Sequence, residues 1–242
     1  MTPQELVSAA CPKIGQLGAV FYFHPKTVAT GKEHNLDGFR FYFLGRGGVL
    51  GDVEPAVVQS AFGYFHGDLV AKIWNSAKER MAPRAAAALY MECCRRIGRD
   101  AFAGIDGLDR FCAAAEKVVA AIDPAGLALY AGTAAEPLPD DLPGRAMQLV
   151  AVLREYRGSA HLLAVVASGV RADVAHAIRR PDDTATFGYA EAPAITDADR
   201  AALAAADTLT DTICAGAYAA VPEADRAHFV ATLEAMEKAL QG

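Results

Sequence analysis

Alanine is distributed unevenly along this chain: of 52 alanines, 44 follow Met81. Alanine gives up no side-chain entropy in a helix and heads the propensity ranking, so the last two thirds are predicted to be helical. Rings crowd the remaining third, with 11 of the 20 aromatic residues lying between Phe21 and Trp74. The expected fold class is therefore all-α. The segment 136–144 carries three prolines and a paired acid, which reads as a loop. It is the expected boundary between an aromatic-rich N-terminal half, 1–136, and a C-terminal helical half, 137–242.

Hydrophobic residues make up 53% of the 242 positions and charged ones 21%, far from the composition of disordered chains, so nearly all of the chain is expected to fold. No run of about 20 apolar residues suggests a membrane span, and Met1-Thr2-Pro3-Gln4-Glu5 lacks the basic start of a signal peptide. The expectation is a cytoplasmic protein with no membrane partner. Cys11, Cys93, Cys94, Cys112 and Cys214 are odd in number and lack C-x-x-C spacing, which predicts buried free thiols and no zinc. A formal charge of −6 disfavours DNA, because non-specific affinity depends on neutralising phosphates with Lys and Arg. Arg95, Arg96 and Arg99, and Arg171 with Arg179 and Arg180, read as solvated helix faces.

Turn and cap signals place the elements. Residues 2–23 read as a helix interrupted near Pro12 and ended by His24-Pro25. Residues 39–43 put rings at strand spacing but lean to helix, and Gly45 to Gly51 reads as a glycine-rich connector. Helices are expected over 54–66, on to Lys78, from Pro83 to 103, over 107–122, 145–157, 159–169, 171–179, 197–220 and 222–240. The polar stretch 181–196 is too short for a recognition helix plus a hairpin.

Two constellations carry chemistry. If a helix runs through Gly158, steps of three and four place Arg154, Arg157 and His161 on one face, beside Tyr156. Two guanidinium forks and an imidazole there suit a carboxylate, a phosphate or an enolate. The plainer alternative is an ion-paired face with a satisfied histidine. In the first third, His24 follows Phe21-Tyr22-Phe23 and His66 follows Phe62-Gly63-Tyr64-Phe65, so both histidines end aromatic clusters. Rings with a few polar groups describe a small-molecule site. Here the alternatives are an ordinary aromatic core, or haem held by one of the two histidines. Gly45, Gly47 and Gly51 miss the dinucleotide fingerprint because Leu50 fills its third glycine position, and no hydrolase, zincin or deaminase motif occurs. Apart from the haem alternative, the cofactor is unknown.

A family resemblance rests on Phe21-Tyr22-Phe23-His24-Pro25, Phe41-Tyr42-Phe43-Leu44-Gly45-Arg46, Val49-Leu50-Gly51, Pro55 to Val58, Phe62 to His66, Asp123 to Tyr130 and Leu153 to His161. On these stretches the chain resembles an actinobacterial helix-turn-helix family labelled SalK-like or MarR-like. The resemblance implies two winged-helix-like helical halves, the second abbreviated around 181–196, and a transcriptional regulator. Where that family has Arg-Gly-Asp-Gly-His, this chain has Arg157-Gly158-Ser159-Ala160-His161 and lacks the acid. The combined expectation is a ligand-binding protein for a small apolar or aromatic molecule, acting as a regulator or a sequestering protein with weak or lost DNA binding. Its pocket is predicted from Phe21, Tyr22, His24, Phe41, Tyr42, Phe62, Phe65 and His66, closed by Arg154, Tyr156, Arg157 and His161. A DNA-reading version would need a homodimer. An enzyme or haem protein acting on a hydrophobic molecule in the same pocket is the alternative, with His161 as acid or base.

Overall fold

Proline at the first helical position, where its missing N–H is no loss, opens four α-helices among the described residues. The computed structural model describes residues 1–241. Helix α1, Pro3–Leu17, begins with a Thr2/Glu5 capping box and runs on through Pro12 rather than breaking there. Pro12 and Ser8, whose carbonyl loses its partner, are both exposed, so the missing bond is not a buried one. Helices α2 (Pro25–Glu33), α3 (Gly38–Gly47), α4 (Pro55–Phe62) and α5 (Gly67–Lys78) follow, with a 3-10 turn at Gly48–Leu50. The rest of the chain supplies α6 (Pro83–Phe102), α7 (Leu108–Ala121), α8 (Ala128–Ala134), α9 (Leu142–Ala167), α10 (Ala172–Arg179), α11 (Asp197–Tyr218) and α12 (Glu223–Ala239). A second 3-10 turn covers Pro181–Asp183.

Among the described residues all regular structure is helical, so the all-α expectation holds and neither half carries a β-wing. Two short pairs have helix-turn-helix form. Helices α2 and α3 are joined across residues 34–37, where Asn35 has φ +57°, and α4 and α5 across 63–66, where Gly63 has φ +78°. All five cysteines are free and buried. Among the described residues no single helix is long and apolar enough to cross a membrane.

Helix α9 is the axis of the molecule. Every residue from 146 to 153 is buried, which is the pattern of a helix surrounded on all sides. It packs against α1, α6, α7, α8 and α11. The one polar side chain in that run, Gln148, accepts from Arg95 Nε at 2.7 Å and donates to the Glu136 and Pro137 carbonyls at 3.1 and 3.2 Å. Arg95 and Arg99 thus brace α6 to its surroundings, Arg99 through Glu92 and Asp141, rather than merely facing solvent. The predicted loop before α9 is present, but the hydrophobic core runs unbroken across it, from Leu6, Phe41 and Trp74 to Leu149, Tyr218 and Phe229. A smaller cluster joins the end of α9, through Ala164 and Val165, to Val174 of α10 and Leu203 of α11.

Three local expectations change. Helices at 145–157 and 159–169 are one continuous helix through Gly158. The glycines at 45 and 47 belong to α3, not to a connector, because α3 lies so close to α6 that a Cβ on Gly45 would fall 2.4 Å from Tyr90 Cγ. Residues 54–66 do not form one helix either: α4 stops at Gly63, whose Cβ would meet Leu162 of α9 at 2.5 Å.

The same argument fixes the α6/α9 crossing, where a Cβ on Gly98 would lie 2.5 Å from the Pro143 carbonyl oxygen. Backbone cannot yield as a side chain can, so we expect Gly98→Ala to lower stability by about 1–3 kcal/mol despite alanine's better helix propensity. Urea denaturation measures this, and an unchanged midpoint would show that the crossing is looser than described.

Candidate functional site

A cavity of about 640 Å³ lies between the aromatic first third and the second half of α9, within the size range of small-molecule sites. Its ring wall follows from α3 being a helix. In a helix, residues 39, 42 and 46 share a stripe, so Phe39, Tyr42 and Arg46 face the cavity together while Phe41 turns the other way, edge-on to Tyr90 at 4.9 Å. Phe62 and Tyr64 with Phe65 extend the wall from α4 and the α4–α5 turn, and Tyr22 with Phe23 from the segment after α1. Phe187 closes it: its ring stacks on Phe65 with centroids 4.2 Å apart and planes 10° apart, and lies 3.7 Å from the His176 ring. The Phe187 carbonyl accepts from the His66 backbone N–H at 2.8 Å, and Tyr189 Oη donates to the Tyr64 carbonyl at 3.1 Å. The polar stretch after α10 is thus a strap fastened to the α4–α5 turn.

The opposite wall is cationic. Arg154, Arg157, Gly158, His161 and Leu162 line the cavity from α9, and His176, Arg179 and Arg180 from α10 and its end. Below them sits Glu155, 4% exposed at its side chain. Arg46 grips it with two bonds, Nε to Oε1 at 2.9 Å and Nη2 to Oε2 at 2.8 Å. Arg154 Nη1 donates to Glu155 Oε1 at 3.0 Å and to Tyr22 Oη at 2.6 Å, and Tyr22 Oη in turn donates to Glu155 Oε1. Arg46 Nη1 also donates to Tyr42 Oη at 2.9 Å. Both guanidinium groups lie over rings, Arg46 4.5 Å from the Phe62 centroid and Arg154 4.7 Å from Tyr22, a favourable placement for a cation. Burial alone would raise the pKa of Glu155, but Arg46 first and Arg154 second overcome it and hold the carboxyl at about 2. Burial pushes the Tyr22 phenol well above its ordinary value.

His161 has a fixed role. Thr210 Oγ1 donates to the Ala206 carbonyl at 2.7 Å, so toward His161 Nδ1, 3.1 Å away, it can only accept. That assigns the proton to Nδ1 and leaves Nε2 as the acceptor of the ring. Burial, opposed by Asp207 and aided by Arg157 and Arg179, lowers the pKa of His161 from its ordinary value and favours the neutral imidazole. Arg157 makes only a long contact, Nη2 to Asp211 Oδ1 at 3.4 Å. Arg179 pairs with Asp207, and Arg180 with Asp183 at 3.5 Å. Among the described residues the five arginines on the cavity wall therefore meet four carboxylates, Glu155, Asp183, Asp207 and Asp211, and the site keeps one positive charge in excess. Arg154 Nε, Arg157 Nε, Tyr64 Oη and His176 Nε2 are buried without a hydrogen-bond partner, and all four side chains line this cavity.

Of the twelve residues predicted for the site, Tyr22, Tyr42, Phe62, Phe65, Arg154, Arg157 and His161 come together on the wall. Five do not. Phe21 packs on Tyr90 at 4.9 Å, as Phe41 does, and Tyr156 is buried on the far side of α9, donating to the Ile213 carbonyl at 3.1 Å. His24 and His66 are helix N-caps: each Nδ1 accepts a backbone N–H, from Lys26 at 3.2 Å and from Asp68 at 3.3 Å. Both histidines stand outside the cavity, so neither offers haem a ligand there. Sequence reasoning missed Arg46, Glu155, His176 and Phe187. Arg179 and Arg180, expected on a solvated face, are indeed 53% and 65% exposed at their side chains while bordering the cavity. A buried glutamate between two arginines leaves no periodic trace, and Phe187 lies in a stretch without helical pattern.

In comparisons with known proteins, the model of a family described as a helix-turn-helix family matches residues 8–187. No curated protein and no solved structure matches the chain.

Breaking a buried ion pair by removing one partner leaves an uncompensated charge. We expect Glu155→Gln, which strands Arg46 and Arg154, to cost about 3–5 kcal/mol in urea denaturation. The pKa of Glu155 is lower folded, about 2, than its reference value of 4.5. Its contribution is therefore complete above pH 4.5, declines as pH falls toward 2, and is absent below. An acid-unfolding curve that Glu155→Gln leaves unaltered between pH 4.5 and 2 would contradict this.

Proposed function

We propose that this chain, which belongs to a helix-turn-helix family, binds a small molecule with an apolar, ring-bearing body and one anionic group, and that it acts as a ligand-responsive regulator or a sequestering protein. The narrower MarR-like assignment is part of this proposal. The observation that carries it is the two-sided cavity: rings on one wall, four arginines on the other, and, with Arg46 among the rings, one positive charge in excess over the whole lining, whose side chains also hold buried polar atoms without partners. Burial without a hydrogen bond costs about 1–3 kcal/mol per group, so a small turn of these side chains toward an occupant that supplies a partner is favoured. Arg157, held only by a long contact, is the guanidinium freest to turn toward an anion.

DNA contact fits this chain poorly. Helix α3, the second helix of the first pair, buries Phe41, Tyr42, Phe43 and Leu44 and cannot enter a groove. Helix α5, its counterpart in the second pair, exposes Asp68, Lys72 and Asn75, followed by Glu79 and Arg80, a face whose charges cancel. Specific binding needs phosphate contacts before base contacts.

Two aromatic probes of the same skeleton test the ligand class. Calorimetry should show 1-anilinonaphthalene-8-sulfonate binding once per chain and at least tenfold more tightly than neutral N-phenyl-1-naphthylamine. Arg157→Gln should narrow that ratio, and equal affinities for the two would remove the anionic requirement. In gel-shift measurements with the DNA upstream of the coding sequence, we expect no retarded band near physiological salt. A band that fades steeply as salt is raised would restore DNA binding to the function.

A further inference from the structure

Glycine inside a helix costs roughly 1 kcal/mol relative to alanine, and most helical glycines near this site have an evident reason. A Cβ on Gly18 would lie 2.7 Å from Arg154 Cβ, and those on Gly45 and Gly98 would strike Tyr90 and Pro143. Gly158, in the middle of α9, and Gly15, in α1, are different: neither would place a Cβ within 4 Å of any heavy atom, and neither has a positive φ. No protein neighbour requires them to be glycine. Both line the cavity, on two helices that pack against each other. Gly15 is three residues from Gly18, and Gly158 is four from Arg154, the pair that touches at the crossing. Beside them Arg154 Nε and Arg157 Nε are buried and unpartnered.

We propose that Gly15 and Gly158 set the specificity of the cavity: the bare backbone at these two positions is the seat of the ligand's ring, held flat against the helices with its anionic group toward Arg157. This rests on the ligand-binding reading above. Two helix surfaces without Cβ atoms admit a thin, planar group and let its π-face contact peptide backbone, whereas a methyl at either position holds the ring away. The free energy lost to helix propensity in the empty protein is then recovered only when the ligand is present, so stability and affinity are opposed at these positions. Gly216 of α11 is, like Gly158, exposed and free of neighbours within 4 Å, but it lies away from the cavity, and it serves as the control.

The experiment pairs thermal unfolding of the full chain without ligand with fluorescence titration of 1-anilinonaphthalene-8-sulfonate. Gly158→Ala and Gly15→Ala should each raise the Tm by about 2–4 °C, the shift a 1 kcal/mol gain gives a chain of this size, while weakening the probe at least fivefold. Gly158→Leu should weaken it more than fiftyfold in a protein that still unfolds cooperatively. Gly216→Ala should raise the Tm equally and leave affinity unchanged. If the two cavity variants are stabilised and bind the probe as the unaltered protein does, the seat is elsewhere and this inference fails while ligand binding stands. A lower Tm for Gly158→Ala would mean the protein itself needs that glycine, which also overturns it. Absence of stoichiometric binding by the unaltered chain would overturn both proposals together.

Discussion

Glu155 is a carboxylate with almost no solvent, in the helix that every layer of the molecule packs around, and its counter-ions come from different places in the chain. Arg46 reaches it from α3, Arg154 from its own helix, and Tyr22 from the segment after α1. Desolvating these groups separately would be prohibitive. They are tolerated because each supplies what the others lack, and that mutual dependence draws the aromatic third onto the middle of α9. With that contact made, Tyr22, Tyr42 and Phe62 take their places as the ring wall, two of them beneath the guanidinium groups of Arg46 and Arg154.

The cavity is the remainder of that arrangement. The first half of α9 is buried all round, but its second half leaves the core and turns Arg157, Gly158 and His161 toward open space. Helix α10 and the strap after it close over this half, and Phe187, between Phe65 and His176, fastens the closure. The two pairs of helix-turn-helix form contribute wall rather than an exposed basic face. The turn of the second pair presents Tyr64 and Phe65 to the cavity and carries the strap.

The legible parts of the site were those with helical period. Arg154, Arg157 and His161 share a face because their spacing of three and four matches 3.6 residues per turn, and the continuous helix through Gly158 keeps them there. The lean to helix over 39–43 holds despite the alternating rings, but Phe41 was misplaced on the wall, since in a helix position 41 points away from 39 and 42. His24 and His66 were read as ends of ring clusters, yet each precedes a helix and does what a polar residue at that position does, accepting a free N–H. Phe21, Phe41 and Tyr156 have the same composition as the wall residues and differ only in which side of their element faces α6 or α11.

What the sequence by itself determined is the helical character of the chain, the position of most helix starts, the burial of free cysteines, and the cationic face of α9. These follow from local terms: propensity, caps, proline, and side-chain period within one element. Only the tertiary structure decided that one core spans the loop before α9, that Glu155 is the counter-ion of Arg46, that Arg179 and Arg180 border the cavity, and that Phe187 closes it. Each of these depends on contacts between residues dozens to more than a hundred positions apart, whose energy comes from excluding water between surfaces that no window of sequence brings together.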